Sequence, residues 1–324
     1  YGLSILFGLT GTTNFFAMQE AIAALGPESN LALILATVFI LVGFGYKISA
    51  VPFHFWTPDV YEGSPTAITA YLSVAPKAAG FALIIRFFNQ VFSGMSDGTA
   101  DSWLALNDIP WPQLIAILSA ATMTLGNLVA IQQTSVKRML AYSSIAHAGY
   151  MMMALPLMST SSIEGVMMYL FMYLFMNLGA FFVVIYVNDV IGGESFDDFN
   201  GLGWKMPYIG ISMTLFMVAL TGLPPTAGFV GKFYIFAAVI EAGSKFYWLA
   251  FVGVINSVVS LYYYIRVVKH MYLSGERSDT FSNPTSKLVL GILLILAVPS
   301  FVFGWYFSPI AEWISQSTIL FQGM

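Results

Sequence analysis

Residues 207–241 read PYIGISMTLFMVALTGLPPTAGFVGKFYIFAAVIE, and this stretch decides what kind of molecule the chain is. It is apolar for longer than the roughly 20 residues a membrane-crossing helix needs. Its middle, TGLPPTAG (221–228), nevertheless breaks any helix. Gly222, Pro224 and Pro225 remove donors and free backbone carbonyls at what would be mid-membrane depth. Lys232 follows a few residues later. Irregular backbone is tolerated inside a bilayer only where protein buries it or it lines a wet cavity. Gly/Pro-interrupted helices point to the ion path of a transporter, against the plainer reading of a packing kink.

The rest of the chain agrees with a membrane setting. Of its 324 residues 58% are hydrophobic and 9% charged, and the mean hydropathy is +0.79. A soluble domain carries about a quarter charged residues, so this surface could not be covered in water. The net charge of −4 sits mostly in short loops, with no basic groove for nucleic acid. With no cysteine, a disulfide scaffold, cysteine-ligated zinc and cysteine-held iron–sulfur clusters are excluded from these residues. Three histidines are too few to suggest haem or multi-histidine metal binding, so no metal site is expected.

Eight further apolar segments join an opening run, YGLSILFGLTG, which is half the length of a spanning helix and reads as the end of one that starts upstream. The eight cover approximately 31–55, 64–92, 111–131, 139–158, 163–187, 207–241, 246–271 and 286–307. The expected fold is therefore an all-α polytopic membrane protein with about nine transmembrane helices. Short connections such as ALGPESN, TPDVYEGSPT and GMSDGTADS join them into one bundle. The loops after the even-numbered segments, with adjoining helix ends, hold Lys137, Arg138, Lys205, Arg266, Lys269, Arg277 and Lys287, while the opposite side holds Arg86 and Lys245. The positive-inside rule places the first set in the cytoplasm and the C-terminus outside. Lys137 and Arg138 read as a headgroup anchor.

Three lysines lie deep in apolar sequence: Lys47, Lys77 and Lys232. An ammonium at mid-bilayer costs about 2.5–3.5 kcal/mol on insertion scales and marks function by default. Snorkelling to the interface serves lysines near helix ends, but Lys77 stands about thirteen residues inside its segment. Burial or a neighbouring cation makes a lysine easier to deprotonate, and an approaching carboxylate reverses this. A buried lysine whose acidic partner moves is thus a proton switch. Glu20, Glu28, Asp59, Glu62, Asp97, Asp101 and Asp108 all read as loop residues, with Glu164 and Glu241 at segment ends. The partner carboxylate is accordingly expected from upstream helices or a neighbouring subunit.

His147 lies within LAYSSIAHAGYMMMAL, and Ser143, His147 and Tyr150 are spaced to share one helical face. Proton relay and a satisfied structural histidine are both consistent with that stripe. His54, seven residues after Lys47 but beyond Pro52, reads either as a relay to the cytoplasmic mouth or as an interfacial anchor beside Trp56. Asn256, Ser260 and Tyr263 form a weaker stripe suited to interhelical hydrogen bonds. No glycine-rich phosphate loop is present.

The stretches YKISAVPFHFWTPDVYEGSPTAITAYLSVAPKAAGFALIIR, SVKRMLAYSSIAHAGYMMMAL and GLPPTAGFVGKFYIF closely resemble the antiporter-like membrane subunits of proton-pumping NADH:quinone oxidoreductase, respiratory complex I. The resemblance runs from Tyr1 to the end. It implies helices 6–14 of a fourteen-helix fold with two broken helices, the upstream ones being absent here. It also implies residues 1–108 as the end of a first inverted repeat, 109–272 as a second, and 273–324 as a C-terminal helix. By position, Lys47 matches the pump lysine that pairs with an upstream glutamate, Lys77 the connecting lysine, and Lys232 the lysine exchanging protons with the outer side. His147 lies in the corresponding tenth-helix motif.

The implied activity is proton translocation driven by quinone reduction elsewhere in the complex, in a bacterial inner membrane. Neighbouring membrane-arm subunits and the lipid bilayer are the implied partners. FMN, iron–sulfur clusters, NADH and quinone belong to the complex, and no cofactor to this chain. Two rivals stand beside this reading. One is a subunit of a multisubunit cation/proton antiporter without redox coupling, which shares the motifs. The other is a structural subunit with idle lysines.

Overall fold

A computed structural model describes residues 1–96, 99–274 and 286–322; Asp97 and Arg277 lie outside the described residues. In chain order the helices are α1 Gly2–Thr10, α2 Phe15–Ala24, α3 Asn30–Ile48, α4 Trp56–Gly63, α5 Thr66–Val91, α6 Trp111–Ile131, α7 Val136–Met152, α8 Thr160–Ile191, α9 Leu202–Lys205, α10 Pro207–Thr221, α11 Ala227–Glu241, α12 Tyr247–Leu273, α13 Lys287–Val302 and α14 Ser308–Gln322. Their ends follow local chemistry. Ser135 caps α7, Ser159 and Ser162 close a capping box on α8, and Gly192 ends α8 in the left-handed region at φ 82.

The expected helical membrane bundle is present. Among the described residues, helices at 27–48, 66–91, 111–131, 160–191 and 244–273 are long and apolar enough to cross a membrane by length and composition. The remaining expected crossings correspond to shorter or divided elements: α1, α7, α13, and the pair α10 and α11. Four helices, α2, α4, α9 and α14, had no counterpart among the expected segments. α2 and α14 are both short and mix polar with apolar residues, so neither forms a spanning window. The stretch TPDVYEGSPT, expected as a connection, is largely α4, which puts Asp59 and Glu62 on a helix. Of GMSDGTADS, residues 94–96 and 99–102 lie on two antiparallel paired strands, β1 Ser93–Ser96 and β2 Thr99–Ala105, and the Trp103 amide of β2 donates to the carbonyl of Met158.

α8 is the central column, with α5, α10, α11, α13 and α14 packed on it. α7 is buried on nearly every side, including its polar residues Ser143, Ser144 and His147. A helix buried all round belongs to the interior of a bundle. Its polar stripe therefore runs through the core instead of facing lipid.

Both expected breaks are present. α3 stops at Ile48, Ser49 takes a left-handed conformation (φ 65), and the chain restarts as α4 at Trp56. α10 stops at Thr221, Gly222 takes φ 84, and α11 starts at Ala227. The halves of the second break touch at Gly228, where an added Cβ would stand 1.8 Å from the carbonyl oxygen of Ala219. Only glycine fits that approach.

Candidate functional site

The second break creates a lysine site. A helix end leaves its last carbonyls without intrahelical partners. Lys232, one turn into α11, donates from Nζ to the freed Thr221 carbonyl at 2.6 Å and to Ser257 Oγ of α12 at 2.9 Å. The ammonium also lies 4.5 Å from the centre of the Tyr150 ring, a cation–π distance. The side chain is 5% exposed.

Lys77 occupies the middle of α5 and is 1% exposed. Its Nζ donates to the Ser144 carbonyl at 2.8 Å and to Ser144 Oγ at 2.5 Å. Between the two lysines stands the polar face of α7. His147 pairs through Nδ1 with Tyr169 OH at 2.6 Å and through Nε2 with Tyr264 OH at 2.9 Å. Tyr264 OH also meets Ser143 Oγ. Farther along, Asn127 donates to Tyr150 OH at 3.1 Å and to Asn256 Oδ1 at 3.1 Å, and accepts from Tyr263 OH at 2.8 Å. Tyr263 and Tyr264 are adjacent, their ring centres 4.4 Å apart.

Lys77, His147 and Lys232 are thus brought into one buried polar region, with Ser143 and Tyr150 on the same face of α7 as the spacing requires. Lys47 and His54 are not. Lys47 is exposed in the last turn of α3, its stem lying beside Gly80 of α5, and no hydrogen bond or ion pair engages it among the described residues. His54 is buried within the first break, packed on Phe55 with ring centres 4.5 Å apart, and its Nδ1 has no partner. Ser144, Tyr169, Tyr173, Tyr264, Asn127 and Ser257 join the site without having been singled out in sequence. Tyrosines at 169 and 173 are spaced one turn apart on α8, a signal hidden among seventeen tyrosines.

The headgroup anchor is corrected. Lys137 is 3% exposed, and its Nζ donates to the carbonyls of Glu62 and Ser64 and to Glu194 Oε1, at 3.2, 2.9 and 3.2 Å. Arg138 pairs with Asp59 at 2.9 Å and with Glu62. Both cations therefore tie the start of α7 to α4 and to the chain after α8. Among the described residues the buried charged side chains are Lys77, Lys137 and Lys232, with no buried Asp or Glu. No group of three His, Cys, Asp or Glu side chains stands together there either.

Fold and site define a polytopic, antiporter-like membrane domain. The chain belongs to the family described as NADH:quinone oxidoreductase/Mrp antiporter, transmembrane, whose sequence model matches residues 1–260. Its similar curated relatives include NADH-quinone oxidoreductase subunit N 2 of Sorangium cellulosum, 48% identical over 98% of this chain and 62% of that protein. Subunit N of Anaeromyxobacter sp. is 44% identical, over 100% and 65%. The chain thus spans a little over three-fifths of the length of these relatives. Among solved structures, a chain of respiratory complex I from Thermus thermophilus with bound aureothin superposes with a TM-score of 0.76 at 31% identity, over 96% of this chain and 64% of that one. A chain of the Mrp complex from Dietzia sp. superposes at 0.78 with 19% identity, over 97% and 63%, a likeness of fold alone.

Proposed function

We propose that this chain is a proton-translocating membrane-arm subunit of NADH:quinone oxidoreductase, a non-redox component of a translocase. The observation that carries this reading is the pair of buried lysines, Lys77 and Lys232, at the two ends of one polar region through α7. A buried ammonium without a carboxylate is costly to keep, and a route for protons gives it a use. Residues 1–108 and 109–272 are read as the end of a first and the whole of a second inverted repeat, with α10 and α11 crossing together. The face carrying Lys137, Arg138, Lys205 and Lys269 is cytoplasmic, in a bacterial inner membrane, and the C-terminus lies outside.

In this mechanism Lys47 meets a carboxylate supplied from outside the described residues, which suits its exposed position. When that carboxylate moves off, Lys47 releases its proton towards Lys77 by way of water. From Lys77 Nζ the proton passes to Ser144 Oγ. Water bridges Ser144 to the next hydrogen-bonded group, Ser143, Tyr264 and His147 Nε2, and on past Tyr263 and Tyr150, which Asn127 orients, to the neighbourhood of Lys232. Thr221 O and Ser257 Oγ hold Lys232 Nζ at the break, the point of exchange with the outer side. FMN, iron–sulfur clusters, NADH and quinone act in other subunits, and the membrane-arm neighbours are the partners.

Identity supports this over an antiporter without redox coupling: 48% with a subunit N against 19% with the Mrp chain. The test is proton pumping by the assembled complex in vesicles carrying Lys77→Met. Pumping should fall on the order of a hundredfold, the low end of what a positioned proton-transfer group contributes. Unchanged pumping with normal assembly refutes the reading. Copurification without flavin and iron–sulfur subunits selects the antiporter.

A further inference from the structure

Four polar residues, Thr66, Thr69, Ser73 and Lys77, are spaced to form one stripe along α5, and all four are buried. The eleven helical steps from Thr66 to Lys77 cover about 16 Å at ~1.5 Å each. That is roughly half of a ~30 Å hydrocarbon core, so the stripe reaches from one rim to mid-membrane. At the rim end Thr66 donates from Oγ1 to Glu194 Oε1 at 2.8 Å. Glu194 keeps 19% of its side chain exposed, which stands it between solvent and the stripe.

The stripe is flanked by polar atoms that lack protein partners. Tyr61 OH, Tyr173 OH and Asn177 Oδ1 are all without a hydrogen bond, and all three residues are 0% exposed. They are gathered, not scattered. Asn177 donates from Nδ2 to Ser73 Oγ at 2.6 Å, and Thr69 donates to the Tyr61 carbonyl at 2.8 Å. The hydroxyls of Tyr61 and Tyr173 approach Ser144, the residue that holds Lys77, outside hydrogen-bonding geometry. Buried polar atoms are nearly always hydrogen-bonded, and a group of them around one stripe is what ordered water occupies.

We propose that Glu194 is the mouth of a hydrated passage along α5 that loads Lys77 with protons from the cytoplasmic face. Glu194 takes a proton from bulk water as a carboxyl O–H. It hands that proton to Thr66 and to water beside Thr69 and Ser73, each oxygen gaining one O–H bond as it gives up another. The proton ends as an N–H on neutral Lys77, and Glu194 returns to its carboxylate. Lys137 is a positioning residue: the carbonyls of Glu62 and Ser64 fix its ammonium against Glu194 Oε1 and so hold the carboxylate at Thr66. Arg138 is occupied by Asp59 and Glu62 and does not compete for it. This entrance is separate from Lys47, and it rests on the reading that Lys77 carries protons.

The test compares Glu194→Gln, Glu194→Asp, Lys77→Met and the double variant Glu194→Gln/Lys77→Met in the assembled complex, measuring protons pumped per electron in vesicles and assembly on native gels. Glu194→Gln keeps the acceptor for Thr66 but cannot take up a proton, and pumping should fall by about tenfold or more. Glu194→Asp should recover most of it, and the double variant should be no worse than Lys77→Met, since both residues serve one path. Full pumping in Glu194→Gln beside loss in Lys77→Met overturns the entrance and leaves the proposed function standing. Equal loss of assembly in both Glu194 variants also overturns it, as a purely structural role. Full pumping in Lys77→Met defeats the function itself.

Discussion

The two broken helices carry the same sequence signature, a lysine beside a proline-containing interruption, and end differently. At the second break Lys232 is folded into the gap, filling the Thr221 carbonyl that the break set free. At the first, Lys47 points away from the interior, and the gap is closed without it by a hydroxyl pair, Thr57 Oγ1 donating to Ser49 Oγ at 2.7 Å. The order of elements explains the contrast. Lys232 follows its break, so the helix it sits on turns it back towards the freed end. Lys47 precedes its break and lies in the last turn of α3, one residue before the helix stops. In this chain the lysine on the far side of a break is captured, and the one on the near side is left exposed.

The sharpest way to break this comparison is at the glycines. Gly228→Ala drives a Cβ into the Ala219 carbonyl and should cost about 3 kcal/mol or more, the upper range for overpacking, read as loss of assembled complex on heating. Gly63→Ala, with open space around it at the end of α4, should leave assembly unchanged. If both behave alike, the second break is not the tightly closed one.

Next in size is Lys232→Met. It removes the charged donor from the Thr221 carbonyl, which keeps the Ser257 hydroxyl at 3.2 Å; a hydrogen bond to a charged group contributes about 1.5–3 kcal/mol, and pumping should fall on the order of a hundredfold. Tyr264→Phe is expected to be milder for stability, about 1–2 kcal/mol for a hydroxyl that joins His147 and Ser143, while proton transfer slows. Intact pumping in that variant would send the route around α12. The smallest effect belongs to Lys47→Met, within about 0.5 kcal/mol as for an exposed residue, although pumping should drop once the whole assembly supplies its carboxylate. A large loss of stability there would mean that Lys47 is engaged as Lys232 is.

Much of the bundle was legible because bilayer chemistry leaves a strong trace. Long apolar runs, the Gly-Pro-Pro interruption and isolated lysines need no partner to be recognised. The face of α7 was equally readable, since Ser143, His147 and Tyr150 obey helical spacing. What escaped notice lacked such a trace. Tyr264 sits in a run of three tyrosines, and only packing shows that it turns inward while Tyr262 faces out. Glu194, in GGES between two apolar segments, carries no mark that sets it apart, and Lys137 reads as a headgroup anchor.

The sequence by itself determined that this chain is a helical membrane protein of the antiporter-like family, with two interruptions and lysines in apolar surroundings, because hydropathy and helix-breaking are local properties. Only the tertiary structure decided which lysines share a site. Burial, and the pairing of Lys137 with Glu194 across 57 residues, depend on which helix faces are brought together. No residue's own neighbours in sequence carry that information.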